Sequence, residues 1–369
     1  MTTDRPLRIG VAGVGFGATV HIPAFQSEGL EVVSVFSRRK ERAEETAQKF
    51  GIANAYTSFE DMLARDDLDA VSIVTPVTTH HEMTLQALRA GKHVMCEKPF
   101  TPTEAEAKEL YEAAQASGLT HSIAHEFRFA SARMRAKELI DEGYIGDLRL
   151  VTMKMLVGGF GRPGAAPDPN AGPPAYNEDR DSLDRGAGFL FGLGSHYIDA
   201  LRHWFGEVES VSGDLANFAP ERADGRIADA DDTFMLTLRF VNGGMAQMTA
   251  SRQARFGSGA NAEIYGSKGT LVTPHGPRPM NPPPHGTLLG AKDGEEALLP
   301  LEIPERLQPF ADDRDERLMP FRLLTREFVR GIRTGTSPAP NFYDGWRNQQ
   351  ILDAVRESSR TGRRVTIAQ

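Results

Sequence analysis

Small residues near the start of the chain have the spacing of a phosphate-binding turn. They follow an apolar run that predicts a strand, and they read Gly13-Val14-Gly15-Phe16-Gly17-Ala18. In such a turn Gly13 permits the tight bend, Gly15 lets the backbone approach a pyrophosphate, and Ala18 allows close helix packing. The phosphates would lie at the N-terminus of the next helix, where unpaired N–H groups and the helix dipole favour negative charge. The sequence therefore predicts a dinucleotide site, to which Phe16 and Gly17 also belong.

The end of the second predicted strand indicates which dinucleotide is bound. An NAD site usually has a carboxylate there for the ribose 2′-hydroxyl, about 20 residues beyond the glycines. This chain has Ser37-Arg38-Arg39-Lys40 instead, followed by Glu41. Because arginine forms bidentate, charge-assisted bonds to phosphate, Ser37, Arg38 and Arg39 favour NADP over NAD. The alternative is a solvated run of charges at the start of a helix.

Alternating strands and helices would position this turn. Short β-branched runs alternate with amphipathic stretches through the first third of the chain, which is typical of a parallel sheet built from βαβ units. Strands are predicted at 7–12, 31–37, 53–56, 70–75 and 93–96, and helices at 20–29, 39–50, 82–89 and 103–117. We expect a dinucleotide-binding α/β domain over residues 1–125.

The pattern changes in the rest of the chain. Longer strands are predicted at 148–157, 208–218, 233–240, 244–252 and 261–265. Glycine turns between them are typical of antiparallel pairing, so we expect an α+β domain with a mostly antiparallel sheet over residues 126–369. The proline-rich segments 163–174 and 274–284 exclude a helix or a central strand. They would be surface connections or walls of a substrate pocket or subunit contact.

Composition and charge narrow the class of protein. The chain has 369 residues, which fits two domains at roughly 100–200 residues each. Its net charge of −8 gives no excess of positive charge with which to bind nucleic acid or an anionic membrane. The single cysteine, Cys96, cannot form an intramolecular disulfide, and the polar N-terminus lacks a signal-peptide pattern. We expect a cytoplasmic protein in which Cys96 is a buried small hydrophobe.

An ordered set of motifs spans nearly the whole chain. They are Gly13-x-Gly15-x-x-Ala18-x-x-His21, Val74-Thr75-Pro76-x-x-x-His80, residues 90–99 ending in Glu97-Lys98-Pro99, Arg128-Phe129, Gly188-x-x-x-x-x-Gly194-Ser195-His196-x-x-Asp199, residues 266–271, and Asp344-Gly345 to Ser359-x-x-Gly362-x-x-Val365. In these motifs the chain resembles the Gfo/Idh/MocA family of oxidoreductases, named after glucose-fructose oxidoreductase and inositol dehydrogenase. The Glu-Lys-Pro element is the most specific of them.

The resemblance implies an N-terminal Rossmann domain, a nicotinamide cofactor and a sugar, inositol or related polyol as substrate. It also implies a C-terminal open-faced sheet used in oligomer contacts, so we expect a homodimer or homotetramer formed through that sheet. The resemblance also implies which residues bind each molecule. Cofactor binding is expected of Thr75, Pro76, His80, Glu97 and Lys98, and substrate binding of Lys98, Arg128, His196 and Asp199. Lys98 would lie beside the nicotinamide and the reacting oxygen.

Oxidation of an alcohol requires hydride transfer and removal of the hydroxyl proton. His196 is the best proton carrier by residue type, because imidazole ionises near neutral pH. Lys98 can donate a hydrogen bond to the substrate oxygen and stabilise its negative charge. Family members commonly have an aspartate four residues before this histidine, where this chain has Gly192. Asp199 and Glu126 are the candidate replacements for that carboxylate.

Other functions stay open. The replacement of the aspartate by Gly192 favours a dinucleotide-binding regulator without turnover, whereas Lys98 and His196 oppose it. A non-redox sugar enzyme that uses transient oxidation is a third possibility. His196, Asp199 and His203 share one helix face by spacing, but no further ligand is indicated, so no metal site is predicted.

Overall fold

The computed structural model, which describes residues 5–158, 173–274 and 283–369, divides the chain into two units. The first unit comprises residues 1–129 and 311–349, and the second comprises residues 130–310 and 350–369. The first boundary lies close to the predicted division at residue 125. Residues 311–349 differ from the prediction, because they return to the first unit instead of continuing the second.

Six parallel strands form the sheet of the first unit. They are β1 (Arg8–Ala12), β2 (Glu31–Phe36), β3 (Asn54–Tyr56), β4 (Ala70–Ile73), β5 (His93–Cys96) and β6 (His121–Ile123). Their order across the sheet is β3-β2-β1-β4-β5-β6, with every neighbouring pair parallel. In this doubly wound order, ligands bind beyond the carboxyl ends of the strands at the reversal between β1 and β4.

The helices of both units follow in chain order. They are α1 (Ile22–Ser27), α2 (Lys40–Phe50), α3 (Phe59–Leu63), α4 (His80–Arg89), α5 (Glu104–Ser117), α6 (Ser131–Asp141), α7 (Glu178–Asp181), α8 (Ser195–Phe205), α9 (Leu318–Thr334) and α10 (Phe342–Thr361). The predicted helix at 20–29 is instead a π-helical turn at Gly17–His21 followed by α1. Helix α5 begins within one residue of the predicted start at residue 103, and the Thr103 side chain caps it by accepting a hydrogen bond from the Glu106 N–H at 3.4 Å. None of the described helices combines the length and apolarity needed to cross a bilayer.

Helix α9 explains why residues 311–349 belong to the first unit. Its side chains Phe321, Leu324 and Phe328 are buried in the same hydrophobic cluster as Ile9 and Phe25. Burying large apolar side chains in this way stabilises a fold by roughly 1.5–3 kcal/mol for each. The helix therefore completes the core beside the parallel sheet.

Nine strands form the sheet of the second unit. They are β7 (Leu148–Leu156), β8 (Val208–Ala216), β9 (Thr233–Phe240), β10 (Met245–Ser251), β11 (Gly259–Gly266), β12 (Gly269–Pro274), β13 (Leu289–Lys292), β14 (Leu299–Pro300) and β15 (Val365–Thr366). The order is β14-β13-β12-β11-β7-β10-β9-β8-β15, and only the β7–β10 pair among them is parallel. The prediction of a mostly antiparallel sheet is confirmed. Most of the two proline-rich segments lies outside the described residues.

Candidate active site

The glycine turn begins where β1 ends. Gly13 has a φ of +112°, and its N–H donates to the Phe36 carbonyl at 2.9 Å. A Cβ at Gly13 would lie 2.3 Å from the carbonyl oxygen of Val74, so no larger residue fits between the strand ends. A Cβ at Gly15, in contrast, would have no atom within 4 Å. The first glycine shapes the turn, and the second leaves open space above it.

A cavity of about 410 Å³ lies beside this turn. It is lined by predicted cofactor residues from the ends of β1, β2 and β4, namely Gly13, Gly15, Ser37, Arg38, Arg39, Thr75 and Pro76. Phe16, Gly17 and Ala18 are outside this lining. Gly17 is buried in the π-helical turn, and the Phe16 ring packs 4.9 Å from the guanidinium of Arg317.

Three arginines, Arg38, Arg39 and Arg42, line one part of the cavity. All three residues are exposed, and among the described residues none of them forms an ion pair. The Ser37 hydroxyl accepts a hydrogen bond from the Arg39 N–H at 3.2 Å, which holds the start of α2. Arg42 was not predicted as a ligand, although it lies one helical turn beyond Arg38 and the spacing could have indicated it. The cavity thus has open space above Gly15 and positive charge after β2.

The Glu-Lys-Pro element follows β5 and is anchored by a buried hydrogen-bond network. His21 Nε2 donates to Glu97 Oε1 at 2.9 Å, and His21 Nδ1 lies 2.7 Å from the Ser72 hydroxyl. The other Glu97 oxygen accepts from the Lys98 N–H at 3.1 Å. Burial opposes ionisation of Glu97, but the hydrogen bond from His21 and the nearby positive charge outweigh it, so its pKa lies below the ordinary value. The backbone at Lys98 is thus fixed by an ionised carboxylate.

His80, predicted to bind the cofactor, is buried at the start of α4. Its Nε2 lies 2.9 Å from the Thr75 carbonyl oxygen, and its Nδ1 lies 3.1 Å from the Pro99 carbonyl oxygen. Burial lowers the pKa of His80. The ring therefore joins two segments that carry other predicted site residues, Thr75 and Lys98. Direct contact of His80 with the cofactor stays a prediction.

Arg128, predicted to bind the substrate, lies in the short turn Glu126–Phe129 after β6. Its Nη2 donates to Asp344 Oδ1 at 2.8 Å, and both side chains are largely buried. The other Asp344 oxygen accepts from the Asn341 N–H at 3.0 Å. This ion pair ties the turn to the start of α10 in the first unit. A contact of Arg128 with the substrate stays a prediction.

Glu126 begins the same turn and is only 2% exposed. Burial and the charge of Glu97 raise the pKa of Glu126 to about 8, against the opposing charges of Lys98 and Arg317. The carboxyl group is therefore mostly protonated at neutral pH. The sequence indicated a candidate carboxylate here, but residue type alone could not show its protonation state.

His196 and Asp199 lie near the start of α8 in the second unit. Both are buried, with 3% and 1% of their surfaces exposed. Asp199 interacts electrostatically with the buried Arg133. A π-helical turn at Leu190–Gly194 leads into α8, and a Cβ at Gly192 would lie 4.0 Å from Arg252 Nη2. Among the described residues, no group of three or more His, Cys, Asp and Glu could hold a metal ion.

Comparison with known proteins gives matches along most of the chain. Residues 7–125 match the oxidoreductase family with an NAD-binding Rossmann fold, and residues 134–272 match the GFO/IDH/MocA C-terminal domain. An uncharacterized oxidoreductase of Synechocystis is 31% identical over 97% of this chain and 95% of its own. Levoglucosan dehydrogenase of Pseudarthrobacter phenanthrenivorans is 28% identical over 96% of each chain.

A solved structure of levoglucosan dehydrogenase with NADH and levoglucosan has a TM-score of 0.86 to this chain. The two chains are 25% identical, and the match covers 99% of this chain and 100% of the other. These matches confirm the predicted fold class and the prediction of a nicotinamide-dependent enzyme. The chain belongs to the Gfo/Idh/MocA family of oxidoreductases, with an N-terminal NAD-binding Rossmann fold.

Proposed function

We propose that this protein is an NADP-dependent dehydrogenase or reductase that interconverts a hydroxyl and a carbonyl group of a sugar, inositol or related polyol. Levoglucosan dehydrogenase and the D-glucoside 3-dehydrogenase of Escherichia coli, which is 27% identical over 99% of each chain, support this class of substrate. The choice of NADP is based on the arginines that line the cavity after β2.

NADP differs from NAD by a phosphate on the adenosine ribose, so its site needs compensating charge. Arg38, Arg39 and Arg42 supply guanidinium groups on the cavity wall, and the described lining contains no carboxylate that would repel the phosphate. The Ser37 hydroxyl is an additional hydrogen-bond partner at the same place. A carboxylate selective for the 2′-hydroxyl of NAD would be expected at this strand end.

The bound nicotinamide would accept or donate the hydride. Residues of the protein would transfer the hydroxyl proton and stabilise the negative charge on the substrate oxygen. Lys98 is proposed to hydrogen-bond the reacting oxygen and stabilise its negative charge. Glu97 and His21 hold the Lys98 backbone in place through the network described above. His196 is proposed to exchange the hydroxyl proton, and Asp199 to bind another group of the substrate.

The exposed face of the nine-stranded sheet supports the proposal of a homodimer or homotetramer. Met245 pairs in register with Leu150, which pairs with Tyr265 on the next strand. These side chains are 43%, 37% and 36% exposed, so they form an apolar row open to solvent. We expect light scattering to give a multiple of the 40.4 kDa chain mass, and Leu150→Glu to shift it toward the monomer.

The proposed reaction can be tested by measuring the reduction of NADP⁺ and of NAD⁺ with a panel of sugars and polyols. We expect reduction of NADP⁺ with at least one sugar or polyol, and loss of turnover in Lys98→Ala and His196→Ala while NADPH still binds. Product formation without net change in the cofactor would favour the non-redox alternative. Full turnover in both variants would remove the proposed roles of Lys98 and His196.

A further inference from the structure

Gly192 lies in the π-helical turn that leads into α8, four residues before His196. Positions four residues apart lie on the same face of a helix, so the surface above Gly192 adjoins the proposed proton carrier. Glycine destabilises a helical segment relative to alanine. A glycine at this position therefore needs a reason, either in the packing of the protein or in what it binds.

The two neighbouring glycines have reasons in the packing. Gly188 has a φ of +115°, and a Cβ there would lie 2.1 Å from Asp231 Oδ1. A Cβ at Gly194 would lie 3.0 Å from the ring of Phe234. Gly192 has neither a positive φ nor so close a contact with any described atom. Its missing side chain leaves open space instead.

The space above Gly192 is bordered by a cation. Arg252 Nη2 would lie 4.0 Å from a Cβ at Gly192, and no other described atom would be as near, apart from the chain neighbours and the backbone of the same helical segment. The Arg252 guanidinium lies over the Phe189 ring, 4.5 Å from its centre. This contact uses the flat face of the guanidinium, whereas the N–H donors lie in its plane. Positive charge and N–H donors thus border the open space beside His196.

Arg252 is held at this position by the fold of the second unit. The residue follows β10 directly, and its backbone N–H donates to the Asp232 carbonyl at 2.9 Å. The charges of Asp231 and Asp232 attract the guanidinium, and that of Arg180 repels it. The Asp231 carboxyl group also accepts a hydrogen bond from the Leu190 N–H at 2.9 Å. Asp231 therefore connects the guanidinium with the π-helical turn.

A guanidinium at the edge of an open space suits an anionic group of the substrate. We propose that the protein acts on a sugar acid, an aldonate or a uronate, whose carboxylate occupies the space above Gly192 and is bound by Arg252. The parallel N–H groups of arginine match the two oxygens of a carboxylate, and such charge-assisted bonds are stronger than bonds to a neutral hydroxyl. This inference rests on the proposed function, because it concerns the substrate from which His196 would take a proton.

Sugar acids and the corresponding neutral compounds form matched pairs for the test. The pairs are D-glucuronate with D-glucose, D-galacturonate with D-galactose, and D-gluconate with D-glucitol. We expect kcat/KM with NADP⁺ to be at least about tenfold higher for the acid in at least one pair. A preference for the neutral compound in every pair, or for a phosphate ester of the same sugars over the acids, would overturn the proposal.

Variants of Arg252 show whether this residue sets the preference. Arg252→Ala should lower the ratio of kcat/KM for the acid to kcat/KM for the neutral compound at least about tenfold, and Arg252→Lys should restore part of it. A merely structural role of Arg252 would lower both values together and leave their ratio unchanged, which would contradict the proposal. The control is Arg255→Ala, which removes an exposed arginine three residues further along and should not change the ratio.

Gly192→Ala tests whether the open space is used. The added methyl group would make only an ordinary contact with Arg252, so the melting temperature should be equal to or above that of the wild type. Because the methyl group occupies the space proposed for the carboxylate, kcat/KM for the acid should fall at least about tenfold. Full activity on the acid in this variant would mean that the carboxylate binds elsewhere.

Calorimetric titration of the protein with NADPH bound provides a readout that does not depend on turnover. We expect heat of binding with at least one of the three acids, and its loss in Arg252→Ala. Oxidation of neutral sugars without binding of any acid would overturn this inference and leave the proposed function intact. Binding of an acid through Arg252 without oxidation of any sugar would support the carboxylate site and contradict the proposed function.

Discussion

The side chains of His21 and Glu97, which are 76 residues apart in the chain, are joined by a buried hydrogen bond of 2.9 Å. His21 ends the π-helical turn that follows the glycine turn, and Glu97 precedes Lys98 after β5. One hydrogen bond thus links the segment expected to bind the phosphates to the segment expected to bind the nicotinamide. The sequence motif contained both residues, but it assigned no role to His21.

Replacing His21 should destabilise the protein. His21→Phe keeps an aromatic ring among Phe16, Phe25 and Phe321, but it leaves the buried Glu97 carboxylate without its donor. We expect a loss of about 3 kcal/mol in the free energy of unfolding, measured in urea near neutral pH. The control is His81→Gln, which breaks the more exposed pair with Glu109 and should cost less than about 1 kcal/mol.

The same network predicts a pH dependence with a definite sign. The folded protein lowers the pKa of Glu97, so this residue stabilises the fold at pH values above its ordinary pKa of 4.5. That contribution is lost as the pH falls through the lower pKa that Glu97 has in the folded protein. The wild type should therefore lose stability on acidification more steeply than His21→Phe. Parallel stability curves for the two proteins in acid would contradict this account of the hydrogen bond.

The two glycines of the turn should respond differently to the same substitution. Gly13→Ala places a Cβ against the Val74 carbonyl at a positive φ, so we expect a loss of at least ~2 kcal/mol in stability. Gly15→Ala meets no protein atom, so its melting temperature should stay near that of the wild type. Its dinucleotide affinity, measured by calorimetry, should fall because the methyl group would occupy the space left for the pyrophosphate. Unchanged affinity in a folded Gly15→Ala protein would place the phosphates elsewhere.

Loss of the cavity arginines should change cofactor selectivity. Arg38→Ala and Arg42→Ala should each weaken NADPH binding about tenfold and change NADH binding little, since each removes a charged partner of the 2′-phosphate. Lys40→Ala is a suitable control, because Lys40 starts the same helix, pairs with Glu44 at 3.8 Å and is outside the cavity lining. An equal loss for both cofactors would mean that these arginines do not recognise the phosphate.

Cys96 should be chemically inert in the folded protein. The thiol is fully buried at the end of β5, and burial raises its pKa well above the ordinary value, so little thiolate forms. We expect no reaction with a thiol reagent at mildly alkaline pH under native conditions, and one thiol per chain after unfolding in urea. Rapid native labelling would show that the end of β5 opens in solution.

Local patterns in the sequence are enough to predict the glycine turn and the cationic strand end, whereas their contact with a cofactor stays a prediction. The tight bend requires Gly13, the open approach requires Gly15, and the cationic strand end at Arg38 and Arg39 is contiguous with the predicted helix. Each of these requirements is met within a few residues, so spacing and residue type are enough to find them. Finding Arg42 from the sequence would have required only that the helical periodicity be considered as well.

The remaining features depend on contacts between distant segments. The amphipathic pattern of α9 shows that one face is buried, but not that Phe321 and Phe328 join the core of the first unit. The protonation of Glu126 depends on the adjacent residues Glu97 and Lys98 and on Arg317, which is distant from both in the sequence. Pairing of Arg128 with Asp344 likewise joins residues 216 apart. Such relationships become visible only when the strands are ordered in the sheet.

Calorimetric titration of the wild-type protein with NADPH and with NADH tests the central claim most directly, namely that the glycine turn and the arginine-lined cavity hold a dinucleotide with a 2′-phosphate. We expect NADPH to bind at least about tenfold more tightly than NADH under the same conditions. Equal affinities, tighter binding of NADH, or no heat with either dinucleotide on folded, ligand-free protein would contradict it.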